Sequence, residues 1–379
     1  MKKAKTAMKL LGTTSLGMGL VIVLFLSSER QVHRNNVFTR RYPHHPIKKL
    51  YDLPIGFDSY YIAGVDNDIL FLGNTTAPLH LLRINIKTGD TSHINLNLPT
   101  RNLPFKAVTV QVYPPYFYVM DGTIPCIFKG ILGDWNAKLW MKDKAYFTKA
   151  FPLDTSKIYI NTINSDTRLA TLGILEKRWD FRVSLHPEIL EKQIDGMFDV
   201  DGTMVVSQDG KTLGFVYYYR NQFMVMDSML GLLGRQETID TVKIAHIELS
   251  RANKKGQVKM KAPPLKINHT AALYNDLMLI NSPRLDKYED PRMLDEAAII
   301  DVYNWKERTY DFSFYLYRIE QKKLKEFRVY DKYLLALLGD MFSVYSLDEG
   351  QFNGTGQSAT RNEKNNEIPA GSRMKTENL

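Results

Sequence analysis

The stretch from Asp199 to Thr203, with the sequence DVDGT, is the part of the chain whose residue types and spacing most directly offer chemistry. An aspartate that follows a strand and precedes a Gly-Thr turn can act as the nucleophile of a phosphoryl transfer. Whether Asp199 can do so depends on the elements around it. That reaction needs the carboxylate at the end of a buried strand.

The DVDGT stretch resembles the D-x-D-G-T nucleophile loop of haloacid-dehalogenase-type phosphatases, which have a helix-rich α/β body. Here the preceding residues, PEILEKQIDGMF, contain no apolar run of four, and the following TMVVSQDGKTLGFVYYY is typical of a β-hairpin that turns at Asp209-Gly210. No downstream alternation of helix and strand supplies a lysine and an acidic pair for phosphate and Mg²⁺. We therefore predict that Asp199 and Asp201 lie in a turn that leads into a strand. A phosphatase is kept as a minor alternative.

Other catalytic and metal-binding patterns are weak. The DVDG stretch lacks the remaining ligands of an EF-hand calcium loop, and the only cysteine, Cys126, excludes an intrachain disulfide and a Cys-based zinc cage. Five histidines are scattered among strand-like segments, where each is expected to be a structural or surface residue: His80, His93, His186, His246 and His269. We predict no catalytic residue, no metal site and no cofactor.

The chain from Ile47 onward consists of short apolar runs with period-2 patterning, separated by Asn, Asp and Gly turns. One module recurs, and its second strand is the clearest marker. We identify six such strands, at Asp68–Asn74, Tyr116–Gly122, Lys157–Thr162, Leu213–Asn221, Asp276–Ser282 and Tyr333–Asp340. Their spacing is within the range of propeller blades with insertions. The predicted fold class is therefore all-β, a six-bladed β-propeller over residues 47–350, preceded by one N-terminal transmembrane or signal helix.

The last of the six units is one strand short. The strand-like segment Pro46–Pro54, which precedes the first unit, can supply the missing strand. Pairing it with the last blade closes the ring and removes the open sheet edges. A two-domain β protein is the alternative.

Three segments carry a resemblance to known proteins, namely Val216–Thr241, Leu277–Ser282 and Ile299–Tyr317. They resemble exported or membrane-anchored six-bladed β-propeller proteins of Bacteroidetes-type bacteria, of the TolB-like propeller class, and the resemblance covers most of residues 55–348. These patterns concern blade packing. They imply a fold and an exported location, and they imply no catalytic residues.

The net charge of +9 is confined to the N-terminal part of the chain. Residues 1–49 contain ten basic residues and one acidic residue, so the remainder is neutral. Because a nucleic-acid binder needs its basic excess on the folded surface, we predict no nucleic-acid partner. The basic residues flank an uncharged run, Leu10–Ser28, which is long enough to cross a bilayer.

These observations predict the domain organisation and the location. Residues 1–28 are predicted to be a signal anchor or transmembrane segment that contacts the membrane through residues 10–28. Residues 29–46 are predicted to be a basic tether and residues 351–379 a disordered tail. We expect a protein anchored in the inner membrane of a bacterial cell envelope with its propeller in the periplasm, or one secreted after signal cleavage.

In a propeller, the loops between second and third strands all open on one face. The fifth, Asn281–Glu296, is far longer than a hairpin requires, and such excursions are often functional. We predict that it forms an aromatic and cationic lip together with a neighbouring blade, from Tyr218, Tyr219, Arg220, Asn221, Arg284, Tyr288 and Arg292. In the alternative, Arg284 and Arg292 merely pair in solvent with Asp286 and Glu289.

The function predicted is a non-catalytic propeller module, tethered to the cell envelope, that binds a protein or a small ligand. The alternative is an envelope enzyme, a hydrolase or oxidoreductase, with a site in the central channel. A lactonase-like enzyme would need carboxylates that converge on a central calcium ion. Carboxylates do not recur at the inner-strand positions of this sequence.

Overall fold

The computed structural model describes residues 2–35, 37–99, 105–250 and 258–352, with side chains described for 8–24 and from His33 onward within those ranges. The chain begins with a helix, α1 (Lys2–Val32). None of the helices in the part with described side chains is long and apolar enough to cross a membrane. The predicted N-terminal helix is therefore confirmed, and its membrane-spanning role is not. Residues 353–379, predicted to be a disordered tail, lie outside the described residues.

Six four-stranded antiparallel sheets follow, which confirms the six-bladed propeller. Blade one consists of β2 (Tyr60–Asp66), β3 (Ile69–Asn74), β4 (His80–Asn85) and β5 (Thr91–Asn95). Blade two consists of β6 (Thr109–Tyr113), β7 (Tyr116–Asp121), β8 (Cys126–Ile131) and β9 (Ala137–Lys142). Blade three consists of β10 (Lys149–Pro152), β11 (Lys157–Ile163), β12 (Ala170–Lys177) and β13 (Phe181–His186). In each of these three sheets the strands follow chain order from the inner to the outer strand. The strands predicted to be second in their units are second in their blades.

The other three blades have the same order, except at the ring closure. Blade four consists of β14 (Gly202–Val206), β15 (Thr212–Tyr217), β16 (Gln222–Asp227) and β17 (Leu232–Glu237). Blade five consists of β18 (Ala271–Tyr274), β19 (Leu277–Asn281), β20 (Ala297–Asn304) and β21 (Thr309–Tyr317). Blade six consists of β22 (Leu324–Tyr330), β23 (Tyr333–Leu338), β24 (Met341–Leu347) and β1 (Ile47–Pro54). Two one-turn helices complete the fold, α2 (Met293–Glu296) and α3 (Glu349–Phe352).

Strand β1 closes the ring, as the short last unit predicted. It pairs antiparallel with β24, from Ile47 opposite Leu347 to Pro54 opposite Met341. The last blade therefore contains strands from both ends of the propeller. This pairing covers the outer edge of β24 and holds the first and last blades together.

The described core consists of one apolar cluster at each junction between neighbouring blades. Alternate side chains of one strand enter different clusters. In β23, Leu334 and Leu338 pack toward the fifth blade, whereas Leu335 and Leu337 pack toward the first. Both faces of a second strand are thus buried, which is why these strands are apolar at successive positions.

The first strands of the blades surround a central channel, and neighbouring first strands contact one another. At Gly64 in β2, a Cβ atom would lie 2.3 Å from the carbonyl oxygen of Val112 in β6. Only glycine permits so close an approach. Blades one and two are therefore in backbone contact beside the channel.

Candidate functional site on the loop face

Because strands alternate in direction, the connections from second to third strands and those from fourth strands to the next blade lie at the same end of the propeller. We call this end the loop face. The longest connection between a second and a third strand joins β19 to β20 and contains α2, as the sequence predicted. We call residues 282–296 the long loop.

The long loop is held by the N-terminal segment, residues 33–35 and 37–46, which belongs to the region predicted to be a tether. Arg40 lies under the loop with a fully buried side chain and pairs with Glu289 at 2.8 Å and with Asp301 of β20 at 2.7 Å. Its guanidinium also donates to the carbonyl oxygen of Arg284. The attraction of both carboxylates outweighs burial and raises the pKa of Arg40. This segment is therefore packed against the fifth blade.

Aromatic side chains complete the attachment. The ring of Tyr42 stacks on that of Tyr315 with centroids 4.6 Å apart, and both hydroxyls donate to the carboxylate of Glu289. Burial raises the pKa of Tyr42, although the nearby Arg40 opposes the shift. The backbone amide of Arg40 donates to Asp286. Residues of the N-terminal segment and of blade five thus both hold the base of the long loop in place.

The seven predicted lip residues divide into buried and exposed groups. Arg284 is buried and pairs with Asp240 at 3.0 Å. The guanidinium of Arg220 lies 3.6 Å from the ring centroid of Tyr217 and donates to the carbonyl oxygen of Glu191. Tyr219 and Asn221 are buried as well. These four side chains hold the loop face together from inside.

The remaining three predicted residues contact solvent or a cavity. Tyr288 is 75% exposed at the tip of the long loop. Arg292 is also exposed and pairs with Asp290 at 2.6 Å. Tyr218 lines the central channel. The alternative prediction, that Arg284 and Arg292 pair in solvent with Asp286 and Glu289, is wrong. The carboxylates of Asp286 and Glu289 instead bind Arg40 and backbone amides of the loop.

A cavity of about 880 Å³ lies between the long loop and the junction of blades five and six. We call it the loop-face pocket. Its apolar lining comes from the loop, from β20 and from the start of β22, namely Pro283, Pro291, Leu294, Ala297, Ala298, Ile299 and Leu324. His33 of the N-terminal segment lines it too, with its Nδ1 atom 3.2 Å from the carbonyl oxygen of Pro283.

Charged side chains surround this apolar surface. The basic residues Arg292, Arg318 and Lys323 and the acidic residues Asp290 and Asp295 line the pocket. Arg318 donates to the carbonyl oxygen of Leu294 and so fixes α2 against the blade. An apolar interior with a few charged groups at fixed positions is typical of ligand-binding cavities.

The central channel has a volume of about 350 Å³ and receives side chains from the first strands of all six blades. Its end at the loop face is polar. Lys149 donates to the carbonyl oxygen of Gly202 at 2.8 Å, and Thr203 donates to that of His269 at 2.7 Å. His269 lines both the channel and the loop-face pocket. Burial, together with the charge of Lys266, lowers the pKa of His269.

The DVDGT stretch leads into β14, the first strand of blade four, and this confirms the predicted turn. The carboxylate of Asp199 is completely buried and accepts hydrogen bonds from the backbone amides of residues 193–196. Asp201 accepts one from the amide of Gly202. Among the described residues, no group of three or more His, Cys, Asp or Glu side chains is placed to hold a metal ion. Asp199 organises the loop before blade four.

Several residues of these sites are not predicted by the sequence patterns. The channel residues among them lie on or beside first strands, namely Lys149, His269 and Arg328. The sequence pattern of these strands does not indicate a function. Arg40 lies in the region predicted to be a tether. The signal that identifies the channel residues is the register of each first strand. That register becomes informative only after the blades are assigned.

No family model matches this chain, and no curated protein matches it. Among solved structures, a member of the DUF4221 family from Bacteroides vulgatus is similar, with 13% identity, 80% of this chain and 97% of that chain covered, and a TM-score of 0.48. BamB from Moraxella catarrhalis has 14% identity, coverages of 79% and 100%, and a TM-score of 0.40. Virginiamycin B lyase from Staphylococcus aureus has 10% identity, coverages of 79% and 99%, and a TM-score of 0.45. At these identities the similarity concerns the fold alone.

Proposed function

We propose that this protein is a non-catalytic binding module that holds a small ligand or a segment of a partner protein in the loop-face pocket. The observation that carries this proposal is the cavity of about 880 Å³ beneath the long loop, with an apolar interior and charged residues at its rim. Cavities of roughly 300–1,000 Å³ with this kind of lining are typical ligand sites.

The way the long loop is held supports the proposal. Arg40, Asp301 and Glu289 fix the loop from below, and Arg318 fixes α2 from the side. A pocket with preformed walls loses little conformational entropy when a ligand binds. Tyr288, at the exposed tip of the loop and outside the pocket lining, is an aromatic side chain of the kind that is enriched at protein interfaces.

A substitution that fills the pocket tests the proposal. Deletion of residues 284–294 is unsuitable because it removes the buried Arg284, Asp286 and Glu289. Ala298, half-buried on β20, lines the pocket, so Ala298→Trp is expected to occupy it and to abolish binding. Leu139→Trp, on the exposed side of the outermost strand of blade two, is the matched control.

The measurement is affinity purification of each variant from cell extracts under cross-linking, with mass spectrometry of bound proteins and small molecules. Wild type and Leu139→Trp are expected to retain the same ligand, and Ala298→Trp to lose it with an unchanged melting temperature. Equal recovery by a folded Ala298→Trp variant would remove the pocket from the proposal.

We also propose that the protein is exported to a bacterial cell envelope, with its propeller in the periplasm. The lysine-rich start and the uncharged run Leu10–Ser28 support export, either as a retained anchor or as a cleaved signal. Cell fractionation with N-terminal sequencing tests this. Recovery of the intact chain from the cytosol alone would contradict it.

A further inference from the structure

The central channel contains one cationic side chain, that of Arg328, which differs from the other charged side chains of the channel in its protein partners. Arg328 lies on β22, the first strand of blade six, and lines the channel. Among the described residues, its guanidinium has no hydrogen-bond acceptor and no carboxylate at ion-pair distance. The guanidinium carbon lies 6.0 Å from the centroid of the Phe151 ring on β10.

The other charged residues of the channel have protein partners. Lys325 donates to the carbonyl oxygen of Asp58, and Lys149 donates to that of Gly202 and lies 3.4 Å from the hydroxyl of Tyr218. Glu326 accepts a hydrogen bond from the backbone amide of Ile62 in blade one. The described lining thus contains three basic residues and one acidic residue, and the acidic residue is engaged with the backbone.

Arg328 is half-buried, and its side chain lines the channel. A guanidinium has five N–H donors, so one that lacks a protein acceptor can bind an anionic ligand. Burial accordingly lowers the pKa of Arg328, with only partial compensation by Glu326. An anionic acceptor that enters the channel would oppose this effect of burial.

We propose that the central channel binds a compact oxyanion, a phosphate or a small carboxylate, through the guanidinium of Arg328. A planar guanidinium can bind two oxygens of such a group side by side. Lys149 supplies a second cation. It lies on β10 two residues before Phe151, hence on the same side of the strand and about 7 Å nearer the loop face.

The dimensions of the channel limit the ligand. Its volume of about 350 Å³ is near the lower end of the range for ligand cavities, which excludes a polymer. Arg328 does not line the loop-face pocket, so the anion site is distinct from that pocket, although His269 lines both cavities. The two proposals can therefore fail independently.

Direct binding of defined anions tests the proposal. Isothermal titration calorimetry and thermal shift are performed with inorganic phosphate and with malonate, against sodium chloride at equal ionic strength. Wild type is expected to bind at least one of the two anions with one site per chain and to melt at a higher temperature in its presence. The anion that binds more tightly identifies the ligand as phosphate-like or carboxylate-like.

Three variants assign the site to Arg328. Arg328→Met is expected to weaken anion binding at least tenfold, and Glu326→Gln, which removes the competing carboxylate, to strengthen it. Lys87→Met is the control, because Lys87 is exposed and pairs with Asp68 outside the channel. Opposite effects at positions 326 and 328 are not expected of purely structural residues. Should Arg328→Met fail to fold, Arg328→Lys is expected to retain weakened binding.

Two outcomes would overturn the proposal. One is the absence of any binding or stabilisation by either anion beyond that of chloride. The other is unchanged anion affinity in a folded Arg328→Met protein.

Discussion

At the scale of single residues, Asp199 shows how a catalytic-looking motif can serve structure. Its carboxylate is surrounded by four backbone amides, with nitrogen to oxygen distances of 2.5–3.1 Å. Burial alone would raise the pKa of Asp199, but the neighbouring carboxyl of Asp195, whose own pKa is raised, and the hydrogen bonds from these amides outweigh it and hold the pKa at about 2. The aspartate is thus needed in its ionised form to fix the loop that enters blade four.

We expect Asp199→Asn to destabilise the protein by about 2–4 kcal/mol, because an amide nitrogen cannot accept the hydrogen bonds that one carboxylate oxygen now receives. Asp201→Asn is the control, with an expected loss below about 1 kcal/mol. Urea unfolding measures both. Equal stability of the two variants would contradict this role for Asp199.

The lowered pKa also predicts a pH dependence. Because the pKa of Asp199 lies below its value of about 3.9 in the unfolded chain, the stabilisation is complete above that value and is lost as the pH falls toward 2. In unfolding titrations from pH 6 to pH 2, the stability of wild type is therefore expected to decline more steeply than that of Asp199→Asn.

At the scale of elements, the N-terminal segment and the long loop form one unit with β20. Arg40 is the centre of this unit, because it binds a carboxylate of the loop and another of the strand. All three side chains are buried. The shape of the loop-face pocket therefore depends on a segment that precedes the first blade by sequence and contacts the fifth in space.

We expect Arg40→Met to destabilise the protein by about 3–5 kcal/mol, because it leaves the carboxylates of Glu289 and Asp301 buried without a counterion. The long loop should become the first site of proteolysis. Arg292→Met, which breaks the exposed pair with Asp290, is expected to change stability by less than about 0.5 kcal/mol. Chemical unfolding and limited proteolysis measure these effects. A loop that stays protected in Arg40→Met would contradict this interpretation.

At the scale of the whole molecule, closure of the ring by β1 decides whether the propeller is a stable monomer or exposes a strand edge at which chains can associate. Without β1, the outer edge of β24 would present unpaired backbone groups, and the apolar junction of blades one and six would lose its covering strand.

Three truncated proteins separate the contributions of the N-terminal elements. A protein that begins at His33 is expected to be monomeric, with the melting temperature of wild type. One that begins at Pro46 keeps β1 and should fold with a protease-sensitive long loop. One that begins at Ile55 should aggregate. Size-exclusion chromatography and thermal unfolding distinguish them. A stable monomer that begins at Ile55 would show that β1 is dispensable.

The sequence by itself determined the blades, their strand order and the closing strand. The blades and their strand order depend on residues that are neighbours in the chain, and the closing strand follows from the missing fourth strand of the last unit. Alternating apolar residues form a strand, Asn, Asp and Gly end it, and the second strands are apolar throughout because both of their faces are covered.

Only the tertiary structure decided which charged groups meet and which are buried. Arg40 and Glu289 are far apart in sequence, and nothing in the local pattern of either places them together. Arg220 and Arg284 resembled surface cations and are buried, because the loops of blades four and five fold over them. Arg328 faces a channel that exists only once six first strands stand side by side. Local periodicity encodes strands, whereas contacts between distant segments depend on how the closed ring positions them.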